Sequence, residues 1–365
     1  MANKLYIFGG TTAAGKLASV DVHVITLKQT EKPEPDYAVI PAITDAKNGE
    51  VPAARSKHAA CKLNVCVAVF GGVDEAGGLI DDGLWLFVTA KSAWEKAKPS
   101  TSPEGAKPCA RSGAKLFETN NNLVLYGGDD ANGTPLSDVW YFDYVSSSWT
   151  ELPSAPTSST AAALVDSTLY IISHTGTISS DVHHLPIHPS DPTPPKWETT
   201  SYPTNPLTPG PLPRTGAGLL PITTGHGRHY LLYLFGVRSE ALSLTSASTD
   251  DAQPPAEYWS DLWTYQIPSS SPEAKLTTSL SDAIKPAKIK DKIRSALGFE
   301  TGERSWYEVE VLPPRDLEGA GGKVHPGPRG WMGCDVAEDG SSAVVWGGVN
   351  AKGEREGDGW VIKLE

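Results

Sequence analysis

Six short runs of consecutive apolar residues recur along the chain, and five of them lead into a glycine. The runs are Leu5–Phe8, Val67–Phe70, Leu123–Tyr126, Leu169–Ile172, Leu232–Phe235 and Ala343–Trp346. Their aliphatic, β-branched and aromatic residues are typical of buried β-strands. The position that follows each run is Gly9, Gly71, Gly127, Ser173, Gly236 or Gly347. Strand-like runs that recur roughly every 50 residues or more predict a propeller or another repeat array.

Three further marks follow the same order in the repeats. An aspartate opens a second strand at Asp21, Asp82, Asp138, Asp181, Asp261 and Asp358, and a large ring follows it at His23, Trp85, Trp140, His183, Trp263 and Trp360. A third strand carries Tyr37, Trp94, Trp149, Trp197 or Trp306. An arginine that follows a proline precedes the apolar run at Arg55, Arg111, Arg214 and Arg329.

Together these marks resemble the kelch repeat, and the resemblance covers nearly the whole chain. It implies an all-β fold, a six-bladed β-propeller of four-stranded blades. In family order, strand A follows the arginine, strand B ends at the glycines, strand C carries the aspartate and strand D carries the lone aromatic residue. The repeats span about 1–45, 52–100, 108–152, 156–200, 212–310 and 326–365, and we expect one standalone propeller domain with no appended domain.

The strand count and one insertion depart from this pattern. Repeat one has no strand A and repeat six has no strand D, so two blades have three strands or irregular segments supply the missing pair. In repeat five, the apolar positions of residues 282–298 recur at helical spacing and end at Gly298, which predicts one helical insertion.

Charge and targeting patterns narrow the possible partners and the compartment. The formal net charge is −12 at pH 7, which argues against nucleic acid or an anionic membrane as a partner. The sequence contains no secretory signal pattern and no apolar run of transmembrane length. Four cysteines without a CxxC spacing favour reduced thiols. We therefore expect a cytoplasmic protein.

The candidate binding site lies on one face of the predicted ring. In a propeller the B–C and D–A loops share a face, and this face would carry the long B–C loop of repeat five. The predicted ligand-binding residues are Arg55, His58, Arg111, Arg214, Arg238, Arg329 and Trp331. Converging arginines suit a carboxylate or another anion, so we expect a peptide, a protein or a small anionic ligand. Alternatively, each arginine pairs with a carboxylate or carbonyl of a neighbouring blade.

An enzymatic function is the second hypothesis. Other standalone kelch proteins, such as sialic-acid mutarotases, are enzymes, and this resemblance implies an isomerase, lyase or cyclase of specialised metabolism. His174 and Glu257 are the candidate catalytic acid and base. Glu257, Asp261 and Tyr265 also resemble the iron ligands of plant specifier proteins, but tyrosine replaces the family's histidine. We therefore expect no metal and no cofactor.

Overall fold

The structure, a computed structural model, describes residues 3–27, 36–44, 49–81, 83–97, 107–159, 161–173, 181–188, 193–202, 210–224, 228–238, 257–268, 304–310 and 325–364. These residues form six antiparallel sheets that are the blades of a β-propeller, which confirms the predicted all-β six-bladed fold. No helix occurs in these ranges. The helix predicted at 282–298 lies outside the described residues.

Four blades contain four strands each. Blade 2 consists of β4 (Ala59–Leu63), β5 (Cys66–Phe70), β6 (Leu84–Val88) and β7 (Ala93–Lys96). Blade 3 consists of β8 (Lys115–Thr119), β9 (Asn122–Asp129), β10 (Pro135–Asp143) and β11 (Ser148–Leu152). Blade 4 consists of β12 (Ala162–Val165), β13 (Thr168–Ile172), β14 (Val182–Pro186) and β15 (Glu198–Thr200). Blade 5 consists of β17 (Gly218–Thr223), β18 (His229–Leu234), β20 (Leu262–Gln266) and β21 (Trp306–Val309).

The first and last blades have three strands each in the described part of the chain. Blade 1 consists of β1 (Lys4–Phe8), β2 (Val22–Thr26) and β3 (Tyr37–Ile40). Blade 6 consists of β23 (Gly333–Val336), β24 (Ser342–Trp346) and β26 (Gly359–Lys363). Two small ribbons pair β16 (Arg214–Thr215) with β19 (Val237–Arg238), and β22 (Arg329–Gly330) with β25 (Val349–Asn350). These ribbons position the loops of blades 5 and 6 on the B–C/D–A face.

Short hairpins connect strands A and B on the opposite face. β8 and β9 are joined by Asn120 and Asn121, which both have positive φ, 49° and 65°. Asp166 and Ser167 join β12 and β13 in the same way, with φ of 45° and 61°. Two residues in this conformation match the right-handed twist of the paired strands. These two loops are therefore tight two-residue turns.

Apolar clusters fill the seams between neighbouring blades, and the strand-D tryptophans belong to them. Trp94 of blade 2 is fully buried, and its ring centroid lies 4.8 Å from Phe8 of blade 1 and 5.2 Å from Phe87 of its own blade. Trp149 of blade 3 lies in the same way between Phe70 of blade 2 and Phe142 of its own blade, with ring centroids 5.8 and 4.8 Å apart. Five such clusters join blades 1 to 6 in sequence. In blades 2 to 5, the recurring lone tryptophan therefore joins the blade to the one before it.

The seam between blades 6 and 1 differs from the other five. No cluster of buried apolar residues joins these two blades within the described ranges. Instead, Arg355 Nε of blade 6 donates a hydrogen bond to Thr11 Oγ1 of blade 1 at 2.9 Å. Tyr37 and Val39 of β3 and Val361 of β26 remain exposed. A polar contact between loops therefore joins the first and last blades.

Candidate functional site

The repeated arginines lie inside the blades. Arg111 is 1% exposed, and its two terminal nitrogens donate to the two carboxylate oxygens of Asp138 at 2.6 and 2.8 Å. Its Nη1 also donates to Gly127 O at 3.0 Å, and Trp140 Nε1 donates to Asp138 Oδ2 at 2.6 Å. The arginine of strand A, the glycine of strand B and the aspartate of strand C therefore form one hydrogen-bonded unit.

The unit recurs in blades 5 and 6, with Phe235 in place of the glycine in blade 5, and its contact between arginine and glycine recurs in blade 2. Arg214 bonds Phe235 O and Asp261, and Arg329 bonds Gly347 O and Asp358, while Arg55 donates to Gly71 O. All three of these arginines are at most 1% exposed. They thus pair as the alternative hypothesis expected, but within their own blade rather than with a neighbouring one. Their guanidinium groups are buried beneath the loop face.

The carboxylate of this unit gives a pH-dependent contribution to stability. Burial alone would raise the pKa of Asp138, but the hydrogen bonds from Arg111 and Trp140 and the charge of Arg111 outweigh burial and hold it below its ordinary value. A carboxyl group whose pKa is lower in the folded than in the unfolded protein stabilises the fold at pH values above its unfolded-state pKa of about 3.9. This contribution to stability is lost as the pH falls below that value.

We therefore expect the difference in unfolding free energy between the wild-type protein and Asp138→Asn to be largest at neutral pH. It should shrink as the pH falls below about 4. Urea unfolding of both proteins at a series of pH values measures this difference. Glu257→Gln, at an exposed ion pair, should change stability little across the same range. If the stability difference for Asp138→Asn stays constant down to acidic pH, the conclusion that folding lowers the pKa of Asp138 is wrong.

An unusual backbone conformation recurs two residues after each arginine. The residues at this position have positive φ, and they are Lys57 (53°), Gly113 (70°), Gly216 (62°) and Trp331 (55°). Glycine adopts this conformation without strain, whereas a side chain makes it cost about 1–2 kcal/mol. Trp331 has this strained backbone, and the residue is 59% exposed. Such strain concentrates at functional positions.

Blade 5 supplies the surface against which Trp331 packs. Trp331 N donates to Gly216 O at 2.8 Å, and a Cβ on Gly216 would lie 2.9 Å from the indole ring. The Tyr258 ring meets the Trp331 ring edge to face, with centroids 6.2 Å apart. The neighbouring Trp259 stacks on the buried guanidinium of Arg214 at 5.4 Å. We call Gly216, Tyr258, Trp259 and Trp331 the Trp331 platform.

An exposed ion pair lies on the loop that carries Tyr258. Arg238 Nη1 and Glu257 Oε2 are 3.0 Å apart, and their side chains are 41% and 51% exposed. The backbone N–H of Arg238 also donates to Glu257 O at 2.8 Å, which holds the two residues side by side. The structure thus brings together Arg238, Glu257 and Trp331 from the predicted set. His174, the other proposed catalytic residue, lies outside the described residues.

His58 lies between blades 1 and 2 and is uncharged at neutral pH. Burial and the nearby charge of Arg55 lower its pKa to about 4. Its ring packs edge to face on Phe8 at 5.4 Å, and its Nδ1 is buried without a hydrogen-bond partner. A neutral imidazole in this position supplies no positive charge for an anionic ligand.

The acidic residues of the B–C loops stabilise turns. Asp74 Oδ1 accepts hydrogen bonds from the backbone N–H groups of Ala76 and Gly78, and Asp130 Oδ1 accepts those of Asn132 and Thr134. Side chains that bond the backbone two and four residues ahead fix a tight turn. These contacts give both aspartates a local structural role.

The residues of the iron-like motif have separate partners. Asp261 is held by Arg214 and by Trp263 Nε1, and Glu257 pairs with Arg238. Burial raises the pKa of the Tyr265 hydroxyl to about 12. Within the described ranges, no group of three or more histidine, cysteine, aspartate or glutamate residues could hold a metal ion.

A polar groove lies on the opposite face of the ring. It has a volume of about 430 Å³, and its lining residues are Lys62, Asn64, Val65, Glu118 and Asn121. These residues come from strands β4 and β8 and from the A–B hairpins of blades 2 and 3. The groove and the Trp331 platform are thus on different faces.

The described part of the chain also has no helix with the length and hydropathy of a membrane span.

Sequence reasoning found Trp331 but missed Tyr258, Trp259 and Gly216. The informative signal is the position two residues after each arginine, which is glycine in blades 3 and 5 and tryptophan in blade 6. In blade 2 the residue is Lys57, so Trp331 is the one aromatic residue among the four, and an aromatic residue at this positive-φ position indicates a local function. Tyr258 carries no such signal, because it lies on the longest B–C loop and only the fold brings it to Trp331.

Comparison with known proteins agrees with this architecture. The solved structure of YjhT aligns over 100% of this chain and 93% of its own, with a TM-score of 0.60 and 13% identity, which shows a shared fold. The flagellar outer arm dynein alpha chain of Chlamydomonas reinhardtii is 34% identical over 107 residues, 28% of this chain and 2% of that protein. Human host cell factor 2 is 30% identical over 83 residues, 23% of this chain and 10% of that protein. The chain thus spans a small part of the length of these two relatives.

The family itself is recognised over most of the chain. Residues 1–236 match the Kelch-repeats domain of KLHDC2, KLHL20 and DRC7. This match covers the first four repeats and the first two strands of blade 5, and the same arginine, glycine and aspartate unit continues into blade 6. The chain belongs to the kelch-repeat family of β-propellers.

Proposed function

We propose that this propeller is a protein-binding module whose B–C/D–A face docks a segment of a partner polypeptide on the Trp331 platform. The observation that carries the proposal is Trp331, a residue that is 59% exposed, has a strained backbone and packs its ring against Tyr258. Tryptophan and tyrosine provide most of the binding energy at many protein interfaces, because they bury a large area with few rotatable bonds. Membership of the kelch family supports the same function, since kelch propellers generally bind proteins.

Two other functions have less support from the described residues. A small anionic ligand would need accessible cations, but the four repeated arginines are buried and paired, and His58 is neutral. The enzyme hypothesis needs an acid and a base in an enclosed pocket, whereas Glu257 is exposed and pairs with Arg238. His174, its predicted partner in catalysis, lies outside the described residues.

Replacing Trp331 by glycine is the direct test. Peptides selected from a random phage-displayed library on the wild-type protein should lose about 30-fold in affinity for Trp331→Gly, which corresponds to about 2 kcal/mol. Fluorescence polarisation of the synthetic peptides measures the loss. Folding should be retained, because glycine occupies the same position in blades 3 and 5.

Val145→Ser provides the matched control. Val145 is 93% exposed on a C–D loop of the opposite face, so this variant also removes an exposed apolar side chain. Affinity should not change in Val145→Ser. Equal binding of the selected peptides to the wild-type protein and to Trp331→Gly would disprove the proposed function.

A further inference from the structure

We infer that the Trp331 platform receives the cationic side chain of a lysine or arginine in the partner segment. This inference rests on the proposed function and specifies the chemistry of the partner. It follows from the charges that surround the exposed ring and from the affinity of aromatic faces for cations.

Carboxylates lie on the loops at both sides of Trp331. On the blade 5 side, Glu257 directly precedes Tyr258, whose ring contacts Trp331. On the blade 6 side, β22 ends one residue before Trp331 and pairs with β25, with Arg329 opposite Asn350. Asn350 Nδ2 donates to Glu354 Oε2 at 3.1 Å and to Glu356 Oε1 at 2.9 Å, so these carboxylates are fixed on the adjoining loop.

Three described cations lie on the same two loops, Arg238, Lys352 and Arg355, against the carboxylates of Glu257, Glu354 and Glu356, and the two arginines have other contacts. Arg238 forms the ion pair with Glu257. Arg355 Nε donates to Thr11 Oγ1 at 2.9 Å, which directs this side chain toward blade 1. Acidic side chains are also exposed on the B–C loop of blade 2, at Asp74, Glu75 and Asp81, and at the end of β9 in blade 3, at Asp129. With a net charge of −12 for the chain, the face attracts a basic segment at long range.

The face of an indole ring attracts a cation because of its quadrupole, and tryptophan is the strongest of the aromatic residues in this respect. The protein already uses this contact beneath the platform, where the Arg214 guanidinium lies 5.4 Å from the Trp259 ring and 5.1 Å from the Tyr233 ring. Trp331 is 59% exposed above this contact, with carboxylates on both adjoining loops. A lysine or arginine of a partner would gain the aromatic contact and the charge attraction together.

The experiment compares library selections on the wild-type protein and on Trp331→Gly. Clones that bind only the wild-type protein should be enriched in lysine or arginine, and synthetic peptides should bind more weakly as salt increases. Replacing the key arginine by citrulline, which keeps the shape and removes the charge, should weaken binding about tenfold. Glu354→Gln and Glu257→Gln should each weaken the binding of the arginine peptide and leave the affinity for the citrulline peptide nearly unchanged.

The outcomes separate this inference from the function on which it rests. Trp331-dependent clones that are neutral or acidic, or a citrulline peptide that binds as tightly as its arginine parent, would overturn the inference and leave the binding module in place. A selection without Trp331-dependent clones would overturn both. Enrichment of basic clones that bind Trp331→Gly equally well would show that charge alone attracts them, which also contradicts the inference.

Discussion

Replacing Arg111 by methionine should lower the free energy of unfolding by about 3–5 kcal/mol, the usual cost of removing one partner from a buried ion pair. The variant leaves the Asp138 carboxylate with Trp140 Nε1 as its remaining partner in the unit and removes a hydrogen bond from Gly127 O. Methionine keeps much of the volume of the side chain, so the loss reports on charge and hydrogen bonding. Urea denaturation at neutral pH, followed by circular dichroism, measures the difference.

Arg238→Met is the matched control for this variant. It removes the same type of side chain from an ion pair with Glu257, but both partners are exposed, and such pairs contribute about 0–1 kcal/mol. The contrast between the two variants isolates the effect of burial. A loss below about 1 kcal/mol for Arg111→Met would mean that the repeated arginines are dispensable for the fold.

Alanine at Gly71 should destabilise the protein by about 2–5 kcal/mol. Gly71 has a φ of +65°, which costs about 1–2 kcal/mol for a residue with a Cβ. An added Cβ would also lie 2.5 Å from the backbone oxygen of Arg111 in the next blade, and such overpacking typically costs about 1–3 kcal/mol. The same oxygen accepts a hydrogen bond from Gly72 N at 2.9 Å, so it cannot move away without weakening the seam.

Gly77→Ala separates the backbone cost from the clash. Gly77 has a φ of +83°, and an added Cβ would have no heavy atom within 4 Å. This control should lose about 1–2 kcal/mol from the backbone conformation alone. If Gly71→Ala and Gly77→Ala lower the free energy of unfolding equally in parallel denaturation curves, the close approach of the two blades adds nothing to the cost of the substitution.

The fold was predictable because the repeat encodes its contacts at short and regular spacings. Gly9 and Gly71, which follow strand B in blades 1 and 2, are required where the backbone of the next blade approaches, at Arg55 O and Arg111 O. The lone tryptophans of strand D are required by the seams, as Trp94 shows between Phe8 and Phe87. Each mark reflects a local packing requirement, so its recurrence was sufficient to infer six blades.

The candidate binding face was less predictable, because its chemistry depends on residues that are distant in sequence. The sequence places arginines at the predicted mouth but does not reveal that each is buried. Arg111 and Asp138 are 27 residues apart, and Arg214 and Asp261 are 47 apart. Tyr258 and Trp331 come from different blades, and their contact depends on the ribbons that position both loops. Sequence spacing alone could not distinguish a binding cation from a structural one.

The polar contact between blades 6 and 1 makes the propeller mechanically asymmetric. Within the described part of the chain, five seams are sealed by apolar clusters, and the sixth depends on the bond between Arg355 and Thr11. A closed ring under thermal stress separates first where the least apolar area is buried. We therefore expect heating to part blades 1 and 6 from each other first, while the five apolar seams keep all six blades joined in an open ring.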